Sequence, residues 1–170
     1  LFRSSKIGTA VSNDVLREYL AGAYYKIDPN LEEDIVLPSN FAGISSDVND
    51  SKYVFRGVID GSGMTIVNPT NQPFIMSSNG GVVKNVTFDV KPDTAKTLTQ
   101  STSTPFAIAG TFGTERCETY GAVIGQIFGG DNIIDHVSVK FTGTIVNAAS
   151  ASKAQYVPIG GYVGVVLNGG

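Results

Sequence analysis

The spacing of apolar residues along the chain changes once, near residue 22. Before that point, apolar side chains recur at the helical interval on one face: Val15, Leu16, Tyr19 and Leu20. Residues 12–14 (Ser-Asn-Asp) supply side-chain oxygens for the free amides of a first turn, and Gly22 offers a stop. The pattern therefore predicts a helix at about residues 13–21.

After this helix, apolar and polar residues alternate in short stretches, as in residues 24–27 and 34–37. Gly, Asn, Asp and Pro interrupt these stretches, which is typical of β-strands joined by tight turns. No second convincing helical pattern follows in the sequence. The chain is therefore predicted to be mostly β.

Two stretches of the chain are similar to each other. Residues 79–88 (NGGVVKNVTF) and 129–139 (GGDNIIDHVSV) both contain Gly-Gly, a short turn, two apolar residues, two polar residues and an apolar–hydroxyl–apolar ending. Apolar segments precede both stretches, at residues 73–76 and 121–128. Residues 158–170 have the same preceding segment and again end in Asn-Gly-Gly. These similarities predict internal repeats, the last of which is interrupted before its second half.

The Gly-Gly pairs are 49 and then 40 residues apart, whereas one coil of a β-solenoid needs roughly 20 to 30 residues. Polar residues with no apolar period account for the excess. They include DTAKTLTQSTST at residues 93–104 and NAASASKAQ at residues 147–155. We therefore predict two inserted loops, at about residues 93–119 and 146–156.

Short strands with inward apolar residues at alternate positions can stack and bury a continuous apolar column. We predict a right-handed parallel β-helix, a form of β-solenoid, with the N-terminal segment and a capping helix at residues 1–23. Solenoid coils are expected over residues 24–170, and the last coil is expected to be truncated. A β-sandwich with unusual loops is the alternative fold.

A resemblance to known modules supports the same architecture. Residues 55–66 (FRGVIDGSGMTI) and 80–88 (GGVVKNVTF) resemble right-handed β-helix modules of bacterial surface proteins. These modules include regions with GLUG repeats and the β-helical parts of IgA-protease-like and adhesin-like proteins. The segments LREYL at residues 16–20 and DIVL at residues 34–37 also look similar to the start of such modules. The resemblance implies a scaffold, a stalk or a binding surface, and it implies no catalytic residue.

Composition excludes several classes of function. The net charge is -3 and no basic run is present, so nucleic acid is not expected as a partner. No stretch reaches the ~18 apolar residues of a membrane span, so membrane insertion is not expected. Cys117 is the single cysteine, which excludes an intrachain disulfide bond.

The single histidine, His136, follows Asp135, and such a pair can serve acid–base chemistry. Neighbouring residues on a strand point to opposite faces, however, and the equivalent residue in the other similar stretch is Asn85. We therefore interpret His136 as a polar position of the stack. Asp60 is interpreted as a turn residue that accepts amide hydrogen bonds, and no catalytic residue is predicted.

Two acidic segments are candidate calcium sites. Asp47, Asn49 and Ser51 alternate like the start of an oxygen-ligand loop, but no Gly follows and Val58 stands where a closing Glu is needed. Residues 32–34 (Glu-Glu-Asp) are more simply a solvated turn. No cofactor or metal is therefore predicted, with Ca²⁺ as the alternative.

Polysaccharide lyases and pectinases built on β-helices provide the enzymatic alternative, because their sites combine acidic residues with Lys or Arg on one outer face. The outward charged candidates alternate in sign without clustering: Asp60, Lys84, Asp89, Lys91, Asp135 and Lys140. Four tyrosines are candidate sugar platforms: Tyr53, Tyr120, Tyr156 and Tyr162.

The sequence thus predicts a non-enzymatic structural or adhesive module of a larger secreted or cell-surface bacterial protein. Its loops are expected to meet a host or matrix protein or a glycan, and its open end is expected to adjoin further repeats of the parent chain. The alternatives are a β-helix carbohydrate-active enzyme or its accessory module, and a segment of a viral or phage fibre.

Overall fold

The computed structural model describes residues 13–45, 53–98, 120–147 and 159–166. Helix α1 covers Asn13–Ala21, so the predicted helix is confirmed at its predicted bounds. The helix leads directly into the first strand, and the Ala21 carbonyl accepts a hydrogen bond of 2.8 Å from the Arg56 amide. The Tyr25 hydroxyl donates to the Leu20 carbonyl at 2.6 Å, which ties the end of α1 to the first strand.

The described ranges contain short strands and two strands of nine residues. In chain order they are β1 (Tyr24–Lys26), β2 (Ile35–Val36), β3 (Val58–Asp60), β4 (Thr65–Asn68), β5 (Ile75–Ser78), β6 (Val82–Val90), β7 (Lys96–Leu98), β8 (Tyr120–Gly121), β9 (Ile124–Ile127), β10 (Ile133–Phe141), β11 (Ile145–Asn147), β12 (Ile159–Gly160) and β13 (Val163–Val166). The prediction of a mostly β chain is therefore confirmed.

Every strand pairing within the described ranges is parallel. The long strand β6 has β3 and β4 along one edge and β10 along the other, while β1 pairs with β3 and β2 with β4. Three further sheets follow the same rule: β5–β9–β13, β7–β11 and β8–β12. Parallel neighbours require long connections, and here other strands of the same stack form those connections.

Equivalent positions follow one another at intervals along the chain. Tyr24, Val58, Val82 and Ile133 are in register on neighbouring strands, separated by 34, 24 and 51 residues. The interval of 24 residues lies within the roughly 20 to 30 residues expected of one solenoid coil. The stretches that the sequence analysis aligned, in β6 and β10, pair along almost their whole length, and Val83 lies opposite Ile134.

The chain turns a corner at the same place on three neighbouring strands. Ser62, Asn85 and His136 have left-handed backbones there, with φ angles of 53, 53 and 51°. Short polar residues such as Asn tolerate this conformation better than bulky residues do. At Gly61, a Cβ atom would collide with the side chain of Val86. The corner therefore requires glycine at that position, because the neighbouring strand β6 approaches too closely for any side chain.

The core lies on the inward side of the stacked strands. Ile59 and Val83 stack in one column, Ile66 and Phe88 in a second, and all four side chains are buried. Residues from β5 and β9 close the core from another side: Ile75 and Ile124. Inward residues of β10, by contrast, are only half-buried.

Candidate functional site

A column of alternating charges crosses the outer face just before the corner. Lys26, Asp60, Lys84 and Asp135 occupy one register position on β1, β3, β6 and β10. Strands in a sheet lie about 4.8 Å apart, so each charge has a neighbour of opposite sign. Three of the charged candidates named from the sequence, Asp60, Lys84 and Asp135, are neighbours in this column, and their signs alternate as predicted.

Asp60 is the most heavily bonded member of this column. Its carboxylate accepts hydrogen bonds from the Ser62 amide at 3.0 Å, from Asn85 Nδ2 at 3.2 Å and from the Tyr24 hydroxyl at 3.1 Å. Lys84 Nζ lies 3.6 Å from the second carboxylate oxygen. Hydrogen bonds from the Ser62 amide and from Asn85 lower the pKa of Asp60 to about 2. Asp60 therefore joins three neighbouring strands as a bound carboxylate, and the structural interpretation of this residue is confirmed for its Ser62 hydrogen bond.

Asp135 and His136 are in contact, which the sequence analysis did not expect. His136 Nδ1 lies 2.7 Å from Asp135 Oδ1, and both side chains are exposed. The expectation that the two side chains point to opposite faces was wrong, because it assumed extended backbone. The left-handed φ of 51° at His136 turns the chain and brings its ring beside the preceding carboxylate.

A shallow groove of about 420 Å³ follows the corner along the outer face. Ser62, Asn85, Thr87 and His136 contribute its polar lining. Thr65, Thr87 and Ser138 are also in register, so hydroxyl groups repeat on three neighbouring strands beside the corner residues. The groove offers hydrogen-bond donors and acceptors at regular intervals on an open, water-accessible surface.

The other charged candidates lie beyond the groove. Asp89 forms an ion pair with Lys91, and Lys140 is in register with Asp89 on β10. Asp89 therefore has a lysine two residues along its own chain segment and another opposite it on the neighbouring strand. Within the described ranges, no group of three or more His, Cys, Asp or Glu side chains is placed to hold a metal ion.

The tyrosines considered as sugar platforms differ in exposure. Tyr53 and Tyr120 are buried, so neither can present a ring to a glycan, and burial raises the pKa of Tyr120 to about 12. Tyr162 is exposed, and its hydroxyl donates to the Val137 carbonyl at 3.3 Å. Tyr156 lies outside the described residues.

Of the calcium candidates, only residues 32–34 lie in the described part of the chain. The side chains of residues 32–34 are exposed on the segment between β1 and β2. Asp47, Asn49, Ser51 and the single cysteine, Cys117, lie outside the described residues.

The strands that flank both long insertions are paired with each other. Leu98 at the end of β7 lies in register with Asn147 at the end of β11, and Tyr120 at the start of β8 lies in register with Ile159 on β12. The strands that precede residues 99–119 and 148–158 are therefore neighbours, and so are the strands that follow them. The sequence predicts insertions at about residues 93–119 and 146–156 but gives no sign that the strands flanking them pair with each other. The predicted first loop also includes β7, whose Leu98 is buried in the core.

Asn132 is a further polar residue that the sequence analysis did not single out. Its Oδ1 accepts hydrogen bonds from the Ser78 hydroxyl at 2.6 Å and from the Gly81 amide at 3.1 Å. Asn132 thereby bonds the turn before β10 to the turn before β6. Its position between Gly-Gly and an apolar pair is the only sequence signal for this role.

Comparisons with known proteins give no relative for this chain: no family model, no curated protein and no solved structure matches it. Among the described residues, the structure contains no helix with the length and apolar character needed to cross a membrane.

Proposed function

We propose that the chain is a right-handed parallel β-solenoid that serves as a non-enzymatic scaffold and presents two neighbouring loops to a binding partner. The loops comprise residues 99–119 and 148–158, which overlap the insertions predicted from the sequence at about residues 93–119 and 146–156. The carrying observation is the shared register of their flanking strands, Leu98 with Asn147 and Tyr120 with Ile159. Two insertions that start and end on adjacent strands emerge at the same side of a stack, where they can form one joint surface.

The stacked strands support the scaffold part of this proposal. The pairings run through four successive strands at one register position, from Tyr24 through Val58 and Val82 to Ile133. The inward side chains form one continuous core, which supports the proposed stacking of solenoid coils. A rigid stack of this kind can hold loops at a fixed spacing.

The outer-face carboxylates support a structural role over an enzymatic one. A carboxyl group that acts as a general acid needs a pKa near the working pH, whereas hydrogen bonds lower the pKa of Asp60 to about 2. Asp89 is also engaged, by Lys91. The contacts of Asp60 bind neighbouring strands together, whereas the Asp89–Lys91 pair lies within one segment at the end of β6.

We infer from the family resemblance that the parent protein is a secreted or cell-surface bacterial protein, and that the partner is a host or matrix protein or a glycan. Loops rich in Thr, Ser and Ala, as in residues 99–104 and 148–153, offer many hydroxyl groups and few charges to such a partner. Further repeats of the parent chain are the alternative way to extend the same scaffold.

The test is a binding screen of the 170-residue chain against immobilised matrix proteins and a glycan array. Two variants replace residues 101–117 or 150–156 by short Gly-Ser linkers, and a third carries Thr87→Ala in the groove as a control. Loss of a binding signal in both loop variants, with an unchanged signal in Thr87→Ala, is the expected result. Unchanged binding in both loop variants would refute loop presentation. Circular dichroism on each variant shows whether the strands remain folded.

A parallel assay addresses the enzymatic alternative. The same chain is incubated with acidic and neutral polysaccharides, and the release of reducing or unsaturated sugar ends is measured. We expect no release above that of the heat-denatured protein. Cleavage that disappears on substitution of a groove residue would replace the scaffold proposal with a catalytic one.

A further inference from the structure

The column of alternating charges formed by Lys26, Asp60, Lys84 and Asp135 has a positive charge at one end and a negative charge at the other. Lys26 stands on β1, and Asp135 stands on β10. Among the described strands, β1 pairs only with β3, and β10 pairs only with β6. Each end strand therefore has one edge without a partner in the described part of the chain, and such edges are sites for further strand pairing.

Apolar side chains are exposed at both ends of the neighbouring column. Tyr24 and Ile133 have 58% and 48% of their surface exposed, whereas Val58 and Val82 between them are half-buried. On the inward side, Ile59 and Val83 are buried but Ile134 of the end strand is only half-buried. A strand added at either end would cover apolar surface that the interior of the stack already covers.

We propose that this surface binds a second copy of the chain, head to tail, with β1 of one copy parallel to β10 of the other. In this arrangement Lys26 lies beside Asp135 and Tyr24 beside Ile133. The pairing of charges repeats that of Asp60 and Lys84 within one copy, where the charged groups are 3.6 Å apart. The proposal depends on the observed register and charges, and it is independent of the adhesive role.

A second copy fits this edge in three respects. It provides a strand of the right direction, a basic side chain opposite Asp135 and an exposed aromatic ring opposite Ile133. The proposed pairing also extends to β2. Val36 on β2 has the same register position as Lys140 on β10, so Val36 of one copy would lie beside Lys140 of the other. Val36 is 65% exposed, and the methylene stem of a lysine can cover such a side chain.

Outward side chains of β1 and β2 are exposed in the described part of the chain. The helix ends at Ala21, and both Tyr24 and Val36 remain exposed after it. Head-to-tail contacts use two different surfaces, so each dimer still has one free surface of each kind. Association is therefore expected to continue beyond dimers as the concentration rises.

The first test combines sedimentation velocity over a range of concentrations with zero-length carbodiimide crosslinking. Unlabelled and ¹⁵N-labelled chains are mixed, so that crosslinked peptides from two different copies are recognised by mass. We expect concentration-dependent oligomers and an intermolecular crosslink between Lys26 and Asp135. A monomer at every concentration, or intermolecular crosslinks that join other residues, would overturn the proposal and leave the β10 edge to a further strand of a longer chain.

The second test reverses the charges one at a time. Lys26→Glu and Asp135→Lys each place like charges together, and each is expected to weaken association by roughly tenfold or more. Mixing the two variants restores opposite charges at every junction and should restore association. Asp131→Lys, in an exposed turn before β10, is the control with the same charge change. Equal weakening by this control, or no recovery in the mixture, would contradict the proposed contact. If a variant fails to fold, the crosslinks of the unmodified chain still decide the question.

Discussion

Asn85 and Asp60 are joined by a hydrogen bond of 3.2 Å between Asn85 Nδ2 and Asp60 Oδ1, although 25 residues separate them in the chain. Asn85 stands at the left-handed corner between the two halves of β6, and Asp60 ends β3 on the neighbouring strand. The bond therefore connects the corner of one strand to the turn of the next. The same carboxylate also binds Ser62 and Tyr24, so a single side chain fixes the relative position of three strands.

Asp60→Asn is expected to reduce stability and to remove part of the acid sensitivity of the fold. Hydrogen bonds lower the pKa of Asp60 from 3.8 to about 2, so the folded chain binds fewer protons than the unfolded chain between these values. The stabilisation is complete above the unfolded pKa and is lost as the pH falls through the folded pKa. Urea denaturation between pH 2 and 6 should show a shallower decline for Asp60→Asn than for the unmodified chain. An identical decline in both would contradict this role, and Asp131→Asn provides an exposed control.

The sequence predicted the features that depend on local chemistry. The bounds of α1 followed from side-chain oxygens before its first turn and from Gly22 after its last. The alignment of β6 with β10 followed from a shared order of apolar, polar and hydroxyl residues, and Val83 pairs with Ile134 at the aligned offset. Local patterns of this kind need no knowledge of distances between strands.

Other features depended on distances that a one-dimensional pattern does not contain. The contact between Asp135 and His136 requires a left-handed residue, which alternation at intervals of two does not reveal. Strand β7 is only three residues long, and Leu98 is its single apolar residue, so its sequence resembles a polar loop. The strands before the two insertions, β7 and β11, pair with each other although their sequences are dissimilar. Lys96, for example, lies opposite Ile145.

Gly61→Ala is expected to destabilise the fold more than Gly63→Ala. A Cβ atom at Gly61 would collide with the Val86 side chain and would lie 2.6 Å from the Asn85 carbonyl oxygen. Such overpacking costs about 1–3 kcal/mol. Gly63 has a φ of 84° with open space around it, so alanine there adds backbone strain of about 1–2 kcal/mol without a collision. Urea denaturation of both variants measures the difference, and a greater loss for Gly63→Ala would contradict the close approach at Gly61.

Phe88→Ala is expected to reduce the free energy of unfolding by about 3–5 kcal/mol, because a buried aromatic side chain leaves a cavity when it is truncated. Phe88 is buried and its ring centroid lies 4.8 Å from that of Phe74. Val82→Ala on the outward side of the same strand is the control, with an expected loss of about 1 kcal/mol or less. Equal losses for the two variants in guanidinium denaturation would contradict the assignment of inward and outward faces on β6.

The register between β6 and β10 can be tested by disulfide formation. Thr87 and Ser138 are paired residues on adjacent parallel strands, whose Cα atoms are expected about 4.8 Å apart. This separation is within the range that a disulfide bridges. In a Cys117→Ser background, Thr87→Cys with Ser138→Cys should therefore form an intramolecular disulfide under mild oxidation. Thr87→Cys with Lys140→Cys is the out-of-register control, and a higher yield in this control would show that the strands pair differently.

Tyr120→Phe is expected to leave the stability unchanged or to raise it by up to about 1 kcal/mol. Tyr120 is buried, with its ring edge-on to Phe141 at a centroid distance of 5.9 Å, and its hydroxyl has no hydrogen-bond partner among the described residues. Burial of the hydroxyl without a partner costs free energy, and phenylalanine removes that cost while keeping the ring contact.

Tyr162→Phe is the matched control, because the Tyr162 hydroxyl is exposed and donates to the Val137 carbonyl. Its removal should cost no more than about 1 kcal/mol. Both variants are compared with the unmodified chain by urea denaturation at neutral pH. A loss of more than about 1 kcal/mol in Tyr120→Phe would mean that residues outside the described ranges provide a partner for the buried hydroxyl. Because Tyr120 begins the strand to which the first insertion returns, that result would place part of the insertion against the core.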